Sequence, residues 1–176
     1  MTRDELAARL LERAYLEGDF LLRSGRRSRF YVDKYRFGTR PDLLAEIGEA
    51  LALQIAAIEP HAARIAAPEV GAIALAAAAS LRSGLPFVIV RKAPKEYGTT
   101  KRLEGAFEEG ERLVVVEDVV TSGGAAIDSV RALRDAGLVC ETVVCVVDRE
   151  EGGAEAMAAE GVTLHRLLDR AALRVD

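Results

Sequence analysis

The sequence predicts an α/β domain built on a mainly parallel sheet with helices on both faces. Three observations carry this expectation. Short apolar, β-branched runs at 64–67, 87–90, 113–116, 142–147 and 162–168 alternate with stretches of helical composition. The clearest of these runs, at 113–116, is apolar throughout and ends in turn residues, as in a strand enclosed on both faces. The 176 residues hold no internal repeat, low-complexity tract or linker, so a single domain spanning 1–176 is expected, with a sizeable core.

In chain order, Thr2-Arg-Asp-Glu5 reads as a capping box opening a helix that buries Leu6, Leu10 and Leu11 and ends at Gly18. Residues 20–33 read as a hairpin turning at Ser24-Gly25. Pro41 opens a helix whose Leu43, Leu44, Ile47, Ala50 and Leu51 share a face, running to about Ile58. After the strand at 64–67 comes a loop, Pro68-Glu-Val-Gly71. Residues 72–81 are nearly all apolar, which predicts a buried helix. Residues 91–104, with Pro94, Gly98 and paired threonines, are too polar and broken to pack. They are expected to form a long mobile loop of the kind that closes over a site. The first forty residues are expected to form a small added lobe.

Composition narrows the function. Half the residues are hydrophobic, yet no apolar run is long enough to span a bilayer. Met1-Thr-Arg-Asp-Glu5 lacks a signal-peptide pattern. The net charge of −4 argues against a general nucleic-acid binder. Cys140 and Cys145 lie around one predicted strand at an odd separation, hence on opposite faces, which speaks against a disulfide or metal pair. Both read as reduced core residues of a cytoplasmic protein. His61 and His165 have no acid or cysteine at ligand spacing. Of 24 basic residues only four are lysines, namely Lys34, Lys92, Lys95 and Lys101, and three of these fall within ten residues.

The chemistry gathers after the strand at 113–116. Glu117 and Asp118 stand at its carboxyl end, where open α/β sheets place their ligands. Thr121, Ser122, Gly123 and Gly124 follow, and residues 125–136 have helical composition ended by Gly137. The carboxylates suit hydroxyls or a metal, while the glycines and the helix N-terminus suit a phosphate. A phosphorylated sugar needs both. The pattern is neither a Walker loop nor Gly-x-Gly-x-x-Gly.

This stretch resembles the phosphoribosyl-pyrophosphate (PRPP) motif of the type I phosphoribosyltransferases. The resemblance implies that fold, with the N-terminal residues as a hood over the base. It gives Glu117 and Asp118 to the ribose hydroxyls and Thr121, Ser122, Gly123, Gly124 and Ala125 to the 5′-phosphate. Glu69, Val70 and Gly71 match the family's pyrophosphate loop; the lysine some members carry there is absent. Val90-Arg-Lys-x-x-Lys-x-Tyr-Gly98 is similar to the mobile loop of the orotate phosphoribosyltransferase branch, which closes over a partner subunit's site. It implies catalytic roles for Lys95, Arg91 and Lys92. Tyr97 stands where that branch commonly has histidine; it can hydrogen-bond pyrophosphate but cannot carry positive charge.

Two further segments resemble the orotate branch. Phe20-x-Leu-Arg-Ser-Gly-Arg-x-Ser-x-Phe-Tyr31 brings Arg23 and Tyr31 to the base. Asp148-Arg-Glu-Glu151 brings Arg149, a fork of donors suited to the orotate carboxylate; a plain strand-end salt bridge with Asp148 or Glu151 is the competing explanation for that arginine. Thr121 is implied on the orotate side as well. Mg²⁺ carried by PRPP, with Asp118 as the side chain able to reach it, and a homodimer with shared sites complete the implication. Two other functions stay open: a phosphoribosyltransferase for another base, and a non-catalytic regulator that senses PRPP or a nucleotide.

Overall fold

Leu113, Val114, Val115 and Val116 are completely buried and form the middle of the molecule. The computed structural model describes residues 2–21, 25, 27–93 and 102–173. In chain order their elements are α1 (Arg3–Ala14), β1 (Tyr15–Leu21), β2 (Arg27–Val32), α2 (Lys34–Gly38), α3 (Pro41–Ile58) and β3 (Arg64–Pro68). Then come α4 (Gly71–Ser83), β4 (Phe87–Val90), β5 (Leu103–Glu104), β6 (Arg112–Val120), α5 (Gly124–Asp135), β7 (Val139–Asp148), α6 (Gly153–Ala159), β8 (Thr163–Leu168) and α7 (Arg170–Leu173).

The main sheet has the order β5-β4-β3-β6-β7-β8 and is parallel except for β5, which pairs antiparallel with β4. Strand alternation divides its side chains between two apolar layers. Ile65, Ala67, Val114, Val116, Val144 and Val146 face α1–α4 and α7, while Ala66, Leu113, Val115 and Val143 face α5 and α6. The mainly parallel α/β expectation therefore holds. β1 and β2 form a separate antiparallel pair, with Tyr15 stacked on Phe30 at 5.8 Å and Phe20 beside Tyr31 at 5.5 Å.

Several boundaries move. The capping box at Thr2 and Glu5 is present, but α1 ends at Ala14 rather than Gly18. Tyr15 begins a strand instead, because its ring finds Phe30 across the ladder. The short α2, capped by Asp33 through the Tyr35 N–H at 3.0 Å, has no counterpart in the sequence expectations. Residues 103–104, expected as loop, form β5. α4 is not enclosed all round: Leu81 is 88% exposed, since among the described residues this chain covers one side of the helix.

The cysteines correct a geometric expectation. β7 carries a bulge, with Leu113 opposite Cys140 and Val114 opposite Thr142, so Glu141 is skipped. The extra residue resets the alternation, and Cys140 and Cys145 join the same apolar layer rather than opposite ones. Both are free, and burial pushes both thiols up.

Helices α3 and α4 approach closely at Gly48. A Cβ there would lie 2.6 Å from the Ala78 Cβ and 2.8 Å from its backbone carbon. Gly48→Ala should therefore cost about 1–3 kcal/mol through overpacking, lowering Tm by roughly 2–4 °C for each kcal/mol. A Tm equal to that of the unsubstituted chain in thermal denaturation would contradict this packing.

Candidate active site

The sequence places Glu117 and Asp118 after a strand; the structure places them inside it. β6 continues to Val120, with Glu117 opposite Cys145 and Val120 opposite Asp148. β7 alongside and the helices packed on both faces of the sheet bury the acids, leaving Glu117 8% and Asp118 3% exposed. Strand alternation then separates the neighbours. Glu117 continues the row of Leu113 and Val115, whereas Asp118 continues that of Val114 and Val116.

Their surroundings differ accordingly. Asp118 reaches below the start of α4, where a Cβ on Gly71 would lie 1.7 Å from its Oδ2. Lys34 on α2 donates to both carboxylate oxygens, at 2.9 Å to Oδ2 and 3.3 Å to Oδ1. Burial opposes the Lys34 charge, but the hydrogen bond and charge of Asp118 outweigh it and raise the ammonium pKa. For Glu117 burial dominates, and with the neighbouring Asp118 charge it pushes the carboxyl up to about 8. Near neutrality the two adjacent acids thus differ: Glu117 holds a proton and Asp118 sits in an ion pair.

Beyond β6 the chain turns through exposed Thr121 and Ser122 into α5. Gly123 adopts φ 79° at the N-cap and is packed against Gly153, where a Cβ on residue 123 would meet the Gly153 oxygen at 3.1 Å. Among the described residues no side chain caps α5, so its first N–H groups at Gly124 and Ala125 face outward with favourable partial charge for an anion. Glu69, Val70 and Gly71 connect β3 to α4 on the adjacent strand, and the Glu69–Val70 peptide is cis. Two carboxyls and two helix N-termini therefore converge at the carboxyl edge of β3 and β6. That arrangement suits a sugar bearing phosphates.

A chain-wide comparison decides the family. An orotate phosphoribosyltransferase from Methanocella arvoryzae is 52% identical over 151 residues, covering 86% of this chain and 85% of that one. The chain belongs to the orotate phosphoribosyltransferase family. The crystal structure of the Aeropyrum pernix orotate phosphoribosyltransferase is 34% identical, with a TM-score of 0.85 over 96% of each chain. The Mycobacterium tuberculosis orotate phosphoribosyltransferase solved with PRPP is 31% identical, with a TM-score of 0.83 over 98% of this chain and 99% of that one. Searched against family models, the chain matches none. The fold is thus that of the orotate phosphoribosyltransferases.

The orotate-branch residues fall into three groups. Arg91 and Lys92 begin the basic segment and are tied down. Glu69 Oε1 accepts from the Lys92 N–H at 2.8 Å, and Arg91 Nη1 lies 3.5 Å from Glu104. Arg102, at the other end, pairs through both guanidinium nitrogens with Asp128 on α5, at 3.3 and 2.5 Å. Among the described residues of this segment, Arg91 and Arg102 are therefore already paired with acids of this chain. Arg149 follows β7, its N–H donating to Val120 at 2.9 Å and its side chain 3.0 Å from Glu151. Tyr31 is 38% exposed on the hairpin. Lys95, Tyr97 and Arg23 lie outside the described residues.

Some residues of this site were not singled out from sequence. Asp148, 1% exposed, accepts from the Glu150 N–H at 2.8 Å and from Arg166 at 2.9 Å, fixing the turn that carries Arg149. Lys34 was noted only as the lysine outside the cluster. A cavity of about 620 Å³ between α1, α3 and β8 contains none of the site residues; the converging chemistry, rather than that hollow, marks the site.

Because Glu117 titrates near 8 when folded and near 4.5 otherwise, the unfolded chain ionises first as pH rises. Stability should consequently fall between about 4.5 and about 8 for this residue, with no such loss below that window. Glu117→Gln should remove this part of the slope when Tm is followed against pH. Parallel profiles for the two proteins would show that burial does not hold the proton.

Proposed function

We propose that the chain transfers the phosphoribosyl group of PRPP to orotate, forming orotidine 5′-monophosphate and releasing pyrophosphate, a step of UMP biosynthesis. The observation that carries this reading is the buried acid pair running straight into the Thr121–Ser122–Gly123 turn and α5, in a chain 52% identical to an orotate phosphoribosyltransferase. Glu117 and Asp118 would receive the ribose hydroxyls. Residues 121–125 would hold the 5′-phosphate, and Glu69, Val70 and Gly71 the diphosphate, largely through backbone N–H groups.

No side-chain nucleophile is needed. Orotate attacks C1′ as the N1 anion, the C1′–oxygen bond to the diphosphate breaks, and pyrophosphate departs with the bonding electrons and can take up the proton that N1 gave to solvent. Positive charge grows on the ribose and negative charge on the leaving group, so the protein's work is positioning, charge stabilisation and exclusion of water. Lys95 is assigned to the departing diphosphate, with Arg91, Lys92 and Tyr97 assisting. Arg149 would exchange Glu151 for the orotate carboxylate, with Arg23, Tyr31 and Thr121 around the base under the hairpin hood of the single domain 1–176.

Mg²⁺ is assigned to PRPP rather than to a protein cage. Among the described residues no three acids, histidines or cysteines cluster for a metal, and Asp118, which lies beneath Gly71, is already held by Lys34. That donor set suits an ion bound mainly by substrate oxygens and water with at most one protein carboxylate. Bound so, it would neutralise part of the diphosphate charge. The enzyme is read as a homodimer whose segment 91–104 closes over the partner's site. No helix among the described residues is long and apolar enough to cross a membrane. Two buried free thiols suit the reducing cytoplasm.

Pyrophosphate release tests the function: it should require PRPP and orotate together, with uracil and purine bases giving little. Release with a purine but not with orotate, or none with any base, would overturn it. Lys95→Ala should lower kcat by ~100–1,000-fold, and unchanged turnover would remove that lysine from the mechanism.

A further inference from the structure

Lys34 has no part in the roles assigned so far. It is the sole lysine outside residues 92–101 in a chain that otherwise carries its positive charge on arginine. It stands two residues after the hairpin strand β2, and its ammonium grips both oxygens of Asp118. The same nitrogen lies 3.4 Å from the position a Cβ would take on Gly71, and 5.6 Å from the Tyr35 ring centroid. One cation thus occupies the point where the end of β6, the first turn of α4 and the segment leading from the hairpin meet.

The space explains the residue type. A compact ammonium fits under a glycine, whereas a guanidinium fork needs more room. The electrostatics explain the need for a charge. PRPP brings several negative charges toward a loop lying directly over a carboxylate that is 3% exposed. A buried carboxylate facing such a substrate without a counter-ion would repel it or turn away from the ribose. The ammonium takes only part of the acceptor capacity of Asp118, so the carboxylate can still receive hydroxyl donors.

We propose that Lys34 is a positioning residue for PRPP: it fixes Asp118 beneath the Glu69–Gly71 loop and offsets its charge when the diphosphate arrives. The proposal rests on the phosphoribosyltransferase reading. It assigns to a residue of the hairpin segment a role in binding the sugar phosphate rather than the base.

The test compares Lys34→Met and Lys34→Arg with the unsubstituted chain, using calorimetric PRPP binding, separate KM values for PRPP and orotate, and Tm. Lys34→Met should weaken PRPP binding and raise its KM by roughly ten-fold or more, while the orotate KM at saturating PRPP stays within about two-fold and kcat falls less than kcat/KM for PRPP. Lys34→Arg, which keeps the charge but needs more room beneath Gly71, should restore only part of the affinity lost in Lys34→Met. If Lys34→Met folds poorly, Lys34→Gln serves in its place. Combined with Asp118→Asn, the Lys34 substitution should add less than its separate effect. Normal PRPP affinity in Lys34→Met with only a lowered Tm would reduce the pair to a structural bridge and overturn the proposal. The unsubstituted chain reports separately on the function: failure to release pyrophosphate there defeats the enzyme reading, whereas normal turnover alongside an unaffected Lys34→Met defeats this inference alone.

Discussion

Two adjacent carboxyl groups lie at the end of a central strand buried on both faces, and the rest of the site answers to that constraint. A lone buried carboxylate is costly, and two side by side are worse. The structure resolves the conflict by alternation and by asymmetry. Neighbouring positions on β6 point to opposite layers, Glu117 keeps its proton, and Asp118 receives Lys34. Glycine at position 71 is part of the same solution, since any side chain there would occupy the space of the Asp118 carboxylate.

A similar economy governs the basic segment. Its composition reads as five cations opposed by one acid, yet its two ends are committed to structure. Arg91 pairs with Glu104, Arg102 with Asp128, and the Lys92 N–H with Glu69. Strand β5 closes the two ends against β4, with Ile89 opposite Glu104 and Val90 opposite Leu103. The Lys92 contact uses only its backbone N–H and leaves the ammonium uncommitted by that bond, and Lys95 lies between the pins in the sequence. The first of these pins joins two neighbouring connections, because Glu69 lies in the turn between β3 and α4 and its carboxylate accepts from the Lys92 N–H.

The architecture was legible because the strands in the middle of the sheet are continuous apolar runs, and because glycines and prolines punctuate them. The acids, the small-residue turn and the helix after it were legible for the same reason: their chemistry is local in sequence. What sequence missed depends on pairings between distant residues. The bulge at Glu141 shifts both cysteines into one layer, and it exists only through the register of β7 on β6. The length of β6 was underestimated because acids seldom continue a buried strand, and here partners far away in the chain permit it. Lys34 and Asp118 are 84 residues apart, and Arg166 and Asp148 are 18 apart. No spacing rule connects such pairs; an unusual lysine in an arginine-rich chain was the only trace one of them left.

Arg149 and Asp118 show what these internal pairs mean for binding. Each is a charged group assigned to substrate, and each already holds an opposite charge from this chain, Glu151 for one and Lys34 for the other. The two pairs differ in depth, and depth sets what a substrate can do with them. Arg149 and Glu151 are 30% and 26% exposed, so a carboxylate from solution competes with another carboxylate for the same fork, at little net electrostatic cost. Asp118 is 4% exposed at its side chain, and a sugar hydroxyl, being neutral, cannot replace the charge of Lys34. On the proposed reading, therefore, the base is bound by exchanging one ion pair for another, whereas the sugar is bound by adding donors to an ion pair that must stay intact.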